Sequence, residues 1–190
     1  MGEVVLNRVI LGCFLGLLSA VSLGDAPNEA SLRVPFVFKF LKFIEWPGQS
    51  SNPEFHLCAL GATGDTRNLI AALDKQPLST PVLNGRPDAK QVIQLRFLDD
   101  PVAALDNLKS CQLIYRPVNG TPIALPSPLP PGVLLVADDP DPYESNVGIA
   151  LARNQEGRIE FAISMAAVKQ SGVSVSSQLL KLARYRQGAR

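Results

Sequence analysis

The 190-residue chain has one histidine, His56, one tryptophan, Trp46, and three cysteines, Cys13, Cys58 and Cys111. A single imidazole and no CxxC pair leave no zinc-ligand set. There is no HExxH and no GxSxG, so zinc-peptidase and serine-hydrolase chemistry lack their residues. His56 sits between Phe55 and Leu57 with no nucleophile motif beside it, which reads as a strand histidine. Charged residues make up only 18% of the chain and the net charge is +1. That excludes the basic face expected for nucleic acid or an anionic membrane. The chain is accordingly not expected to be an enzyme, and no cofactor or metal is expected.

Hydrophobic runs are also short of the ~20 residues a membrane span needs. The run Val9 to Val21 follows Arg8, and small residues at Ser22 and Gly24 precede Asp25. This is the pattern of a secretory signal peptide, residues 1–24, with the mature chain starting at Asp25. Ala20 and Ser22 offer an alternative cut before Leu23, and a retained anchor is the other reading. Glu3 and Arg8 cancel, so the mature charge stays at +1. Residues 25–190 suit one domain with its own core. Cys58 and Cys111 remain, and an even count in an exported chain favours one disulfide over two free thiols.

What the chain has in abundance is concentrated at Phe36 to Trp46 (FVFKFLKFIEW), which holds four of its eight phenylalanines and the tryptophan. Phe36, Phe40 and Phe43, and Val37, Leu41 and Ile44, fall at helical spacing. Pro47 stops the helix near Trp46. Lys39, Lys42 and Glu45 form a narrow polar stripe. A helix this apolar packs on more than one side. Phe38, Lys39, Lys42 and Trp46 are therefore candidate partner-binding residues, with aromatic anchors inside a polar rim. The bland reading is a core helix.

Phe55 to Leu60 reads as a buried strand, and Gly61 to Gly64 as a turn. Asp65 or Thr66 then caps a helix through Leu69, Ile70 and Leu73. The turn has neither GxGxxG spacing nor a Walker lysine, so a tight βα turn is the simpler reading. Gln76 to Ala89 is a proline- and glycine-rich loop, with a short strand at Pro81 to Leu83. Gln91 to Phe97 is a strand. Asp99-Asp100-Pro101 opens a helix with Ala104, Leu105 and Leu108 inward. Cys111 to Tyr115 reads as a strand, and in a doubly wound sheet the first and third strands are often neighbours, which would set it beside the Cys58 strand. Prolines 126, 128, 130 and 131 forbid a long helix across Asn119 to Gly132. Gly132 to Ala137 is a strand, and Asp138 to Asn146 an acidic loop. Clustered carboxylates raise calcium there, but EF-hand spacing is absent.

Val147 to Ala152 and Arg158 to Ile163 flank Asn154 to Gly157 as a β-hairpin. Ser164 caps a helix through Val168. Ser176 or Ser177 caps the last helix, with Leu179, Leu180 and Leu182 inward and Lys181, Arg184 and Arg186 near its end. The fold class is α/β: one domain, a mainly parallel mixed sheet, helices on both faces, and a C-terminal hairpin with helices.

The order of these pieces resembles the YfiR-like family of bacterial periplasmic proteins. The residues are Phe43-Ile44-Glu45-Trp46-Pro47, Leu57 to Gly61, Cys111 at a strand start and Gly148 to Leu151. The tail carries most: Arg158 to Ala167, then Val173 to Ala183 with its Ser-x-x-Leu-Leu-x-Leu-Ala helix. The resemblance implies a periplasmic repressor that binds the sensor domain of an inner-membrane diguanylate cyclase. It thereby limits cyclic-di-GMP synthesis and biofilm formation. It further implies release by an outer-membrane, peptidoglycan-associated lipoprotein or by reducing conditions, and a homodimer is a further expected assembly. Some members carry a second, late cysteine pair that this chain lacks, which carries repression further than redox sensing. The alternative function is a small-ligand-binding domain, with Gly61 to Asp65 lining a cleft at the strand ends.

Overall fold

The computed structural model describes residues 28–46, 53–79 and 90–185. The expected signal peptide, the strand at Pro81 to Leu83 and Arg186 lie outside the described residues.

Helix α1 spans Glu29–Leu41. Asn28 caps it, its side chain accepting from the Ala30 N–H, with Glu29 in the first turn and Lys39 in the last, where they suit the helix dipole. The helix begins before the expected Phe36 and carries Pro35 inside it, on the exposed side. It also ends earlier than Trp46. The Lys42 N–H closes on Lys39 O, and Ile44–Glu45 leaves the helix as strand β1. The cause is a long-range pairing. Strand β9 (Ser174–Val175) pairs antiparallel with β1, and the Ser176 N–H donates to Phe43 O at 2.9 Å.

The main sheet contains β2 (Glu54–Leu60), β3 (Pro77–Ser79), β4 (Lys90–Leu98), β5 (Leu113–Arg116), β6 (Leu134–Asp138), β7 (Val147–Arg153), β8 (Ile159–Ile163) and β10 (Arg184–Tyr185). Its order is β10-β8-β7-β6-β5-β2-β4-β3. The run β4-β2-β5-β6-β7 is parallel; β8 turns back antiparallel on β7, and β3 pairs antiparallel with β4. The sheet is mixed and mainly parallel, as the alternating pattern predicts. Arg184 belongs to this sheet, not to the last helix, because β10 pairs parallel with β8.

Alternation along the strands divides the core in two. Leu57, Ala59, Leu113, Tyr115, Leu134 and Val136 face α1 and Ile70 of α2 (Gly64–Ala71). Cys58, Leu60, Ile114, Leu135 and Ala137 face α3 (Pro101–Asn107), together with Ile123 and Leu129 from the proline-rich connection. That connection takes the place of a helix on this face. Cys58 and Cys111 are joined by a disulfide, Cα–Cα 5.8 Å, within the second cluster. Helix α4 (Met165–Ser171) is capped by Ser164 and ends at Gly172 with φ +73°, a left-handed turn that suits glycine. Helix α5 (Ser177–Leu182) is capped by Ser176. Several leucines expected inward are not. Leu105, Leu180 and Leu182 are exposed, because α3 and α5 are short and present only one buried row each, Ala104 and Leu179.

Candidate functional site

In an open parallel sheet, ligands meet the carboxyl ends of the strands where the strand order reverses. Here that point lies between β2 and β5, because the chain crosses from β2 to β4 on one side and returns to β5 on the other. The expected ligand-lining turn, Gly61 to Asp65, is at this point. The loop after β5 occupies it. The Thr121 N–H donates to Gly61 O at 2.7 Å, and Thr63 Oγ1 donates to Asn119 O at 2.9 Å. Gly61 has φ +60°, and a Cβ there would sit 2.2 Å from Thr121 O. The N-cap of α2 is Thr63, two residues before the expected Asp65 and three before Thr66, and its side chain makes no capping bond. Asp65 instead accepts from the Asn28 side chain. Arg67 stacks over Phe97 at 3.8 Å and donates to both Asp99 oxygens at 2.9 Å. The crevice is thus filled by the chain's own loop and closed by internal pairs.

A second group of polar side chains lies under the first half of α1. Arg33 is 2% exposed despite its charge. Its Nε donates to Glu29 Oε1 at 2.8 Å, Nη2 to Asp139 Oδ2 at 2.6 Å, and Nη1 to Leu151 O at 3.2 Å. Nη1 stands 3.6 Å from Asp138 Oδ1. Tyr115 Oη donates to Asp138 Oδ2 at 2.7 Å, and the Val118 N–H reaches the same oxygen at 3.3 Å. Asp138 Oδ1 is buried and has no hydrogen-bond donor among the described residues. Burial pushes the Asp138 carboxyl up to about 6, against the opposing pull of Tyr115, Arg33 and Val118. Burial, then the neighbouring Asp138, raises the Tyr115 phenol. Burial works against the Arg33 charge, but Asp138, Glu29 and Asp139 hold it above its ordinary value.

This group was not foreseen. Asp138 reads in sequence as the first residue of an acidic loop, whereas it is the last residue of β6 and is buried. The available signal was Glu29 and Arg33, spaced i, i+4 on an otherwise apolar helix.

The expected partner-binding residues divide. Lys39 lies on the outer side of α1, Phe38 flanks its buried face against the core, and Lys42 is its C-cap. Lys42 Nζ lies 4.7 Å over the Phe38 ring, and Lys39 Nζ 5.7 Å over Phe36. Lys39 is exposed, while Phe36, Phe38 and Lys42 are half-buried. Trp46 does not join them. It is 7% exposed, packs edge-on to Phe55 at 4.9 Å, and donates its indole N–H to Gln112 O at 3.1 Å. It belongs to the core, because the turn after α1 carries it beneath the sheet end. Phe40 likewise packs inward on Phe161 at 5.1 Å.

His56 is partly exposed on β2, with Nε2 3.9 Å from Glu54. Among the described residues, no group of three or more His, Cys, Asp or Glu is placed to hold a metal, and no helix is long and apolar enough to cross a membrane. No curated protein matches the sequence. A family model described as YfiR/HmsC-like matches residues 30–184, from the first turn of α1 to β10. The chain therefore belongs to the YfiR/HmsC-like family.

Proposed function

We propose that the chain is exported and acts in the periplasm as a repressor, binding the periplasmic domain of an inner-membrane diguanylate cyclase and holding it inactive. Cyclic-di-GMP synthesis, and with it biofilm formation, is thereby restrained. The observation that carries this reading is the family match across residues 30–184, since the family is one of periplasmic regulators of such cyclases. The geometry supports docking over ligand capture. The switch-point crevice is filled by the Pro117 to Thr121 loop, whereas α1 carries an exposed Lys39 beside half-buried Phe38 and Lys42, with Lys42 over the Phe38 ring. Aromatic anchors inside a charged rim are what a protein partner uses. The proposed contact consists of Phe38, Lys39 and Lys42 without Trp46.

The test is cellular cyclic-di-GMP. Deleting the chain raises it, a plasmid copy restores it, and a folded Lys42→Glu copy restores it poorly. Unchanged cyclic-di-GMP on deletion would overturn the reading.

A further inference from the structure

His56, the chain's one histidine, stands on the α3 face of the sheet where the apolar cover ends. Side chains on this face run Glu54, His56, Cys58 and Leu60 along β2, and Gln94, Arg96 and Leu98 along β4, with the two strands in parallel register. Cys58, Leu60 and Leu98 are buried in the α3 cluster. Glu54, His56 and Gln94 are half-buried, and Arg96 is exposed. These four polar side chains, with Leu95, line an open cavity of about 170 Å³.

Hydrogen bonds hold the lining in place. Arg96 Nη1 donates to Asn107 Oδ1 at 3.1 Å and to Ser110 Oγ at 2.6 Å, which fastens the guanidinium to the end of α3 and the turn after it. Both acceptors are neutral. Among the described residues no carboxylate pairs with Arg96, and its Nε and Nη2 have no acceptor. On β2, Glu54 Oε1 accepts from Gln94 Nε2 at 2.8 Å, and Gln94 Oε1 accepts from Lys75. A carboxylate takes up to about four donors, so a further donor can join Glu54. His56 Nε2 is 3.9 Å from Glu54 Oε2, beyond hydrogen-bond distance, and among the described residues its ring makes no hydrogen bond.

A fixed guanidinium without a counter-charge, in one cavity with a carboxylate and an imidazole, suits a solute that carries both an anionic group and a donor. The volume sets the size. A cavity of about 170 Å³ is below the ~300 Å³ at which sites for drug-sized ligands begin, so it takes only a small solute. We propose that this cavity binds a small α-hydroxy or α-amino carboxylate: Arg96 holds the carboxylate, Glu54 accepts from the hydroxyl or ammonium group, and His56 lines the space beside them. The cavity lies toward the amino-terminal end of β2, away from the switch-point crevice, and on the opposite face of the sheet from α1. It therefore stands apart from the proposed repression.

The single histidine supplies the probe. The purified chain, disulfide intact, is titrated with lactate and with glycine at fixed pH and low ionic strength, where screening is weak, and the His56 ring signals are followed by NMR. One or both solutes shift those signals saturably, and the one that binds more tightly identifies the donor. Acetate, which has no donor on its α carbon, binds at least about fivefold more weakly. Arg96→Gln weakens binding at least about tenfold, the loss expected for hydrogen bonds to a charged group. Glu54→Gln removes the advantage over acetate. No saturable shift with either solute overturns the site. So does binding that Arg96→Gln leaves unchanged, or that acetate equals in the unmodified chain. If Arg96→Gln does not fold, the comparison with acetate decides alone.

Discussion

Arg33 shows how one side chain can hold an element in place through partners far along the chain. Its acceptors are Glu29, Asp139 and Leu151 O, with Asp138 Oδ1 3.6 Å away, and it is 2% exposed. Removing one partner of a buried pair strands the other charge, at a cost of roughly 3–5 kcal/mol. Arg33→Met is expected to lose about that much at pH 7, read from urea unfolding. The loss should be smaller at pH 5. Without Arg33 the folded-state Asp138 carboxyl rises further above its unfolded value. The stability it contributes is then present in acid and lost as pH climbs. An equal loss at both pH values would show that Arg33 and Asp138 are not coupled. The sequence offered no route to this pair. Helical periodicity showed an apolar segment, and nothing local connects residue 33 with residue 138.

Strands were the most legible elements. β2, β4, β7 and β8 lie within a residue or two of the apolar runs that predict them, because a short apolar run bounded by turn residues, continuous in β2 and β7 and alternating in β8, is written locally in the sequence. The end of α1 was not. Phe43 and Ile44 continue the helical spacing, yet β1 leaves because Ser174 and Val175 offer strand partners far along the chain. The crevice between β2 and β5 was similarly hidden, since Gly61 looks like any βα turn glycine until Thr121 packs on it. Gly61→Ala has no room at 2.2 Å from a backbone oxygen and needs φ +60°. It should cost at least about 2 kcal/mol and raise hydrogen exchange in residues 117–121; a change within 0.5 kcal/mol on the usual surface scale would mean the loop does not depend on this contact. The disulfide acts at the same scale, tying the end of the turn after α3 to β2. It spans 53 residues of sequence, which the chain-entropy model values at about 4 kcal/mol. Cys58→Ala/Cys111→Ala, or reductant, should lower the midpoint of urea unfolding accordingly. An unchanged midpoint on reduction would contradict a structural bridge.

At the scale of the molecule, one flavodoxin-like run of parallel strands, β4-β2-β5-β6-β7, carries α1, on which Lys39 is exposed and Phe38 and Lys42 are half-buried. The crevice that such sheets commonly use for ligands is filled by the chain's own loop. The fold class was legible from alternating strands and helices, and the family from the order of short pieces along the chain, which the match across residues 30–184 shows. The burial of the four candidate partner-binding residues was not legible: Lys39 is exposed, Phe38 and Lys42 are half-buried with Phe38 packed against the core, and Trp46 is buried. The proposed repression requires this chain to bind a membrane diguanylate cyclase. The direct measurement is calorimetric titration of the purified chain into the purified periplasmic domain of that cyclase, at neutral pH with the disulfide intact. Saturable binding is expected, and Lys42→Glu, shown to be folded, should weaken it at least about tenfold. No heat of binding with two folded partners would contradict the proposed repression; binding unaffected by Lys42→Glu would place its site away from Lys42.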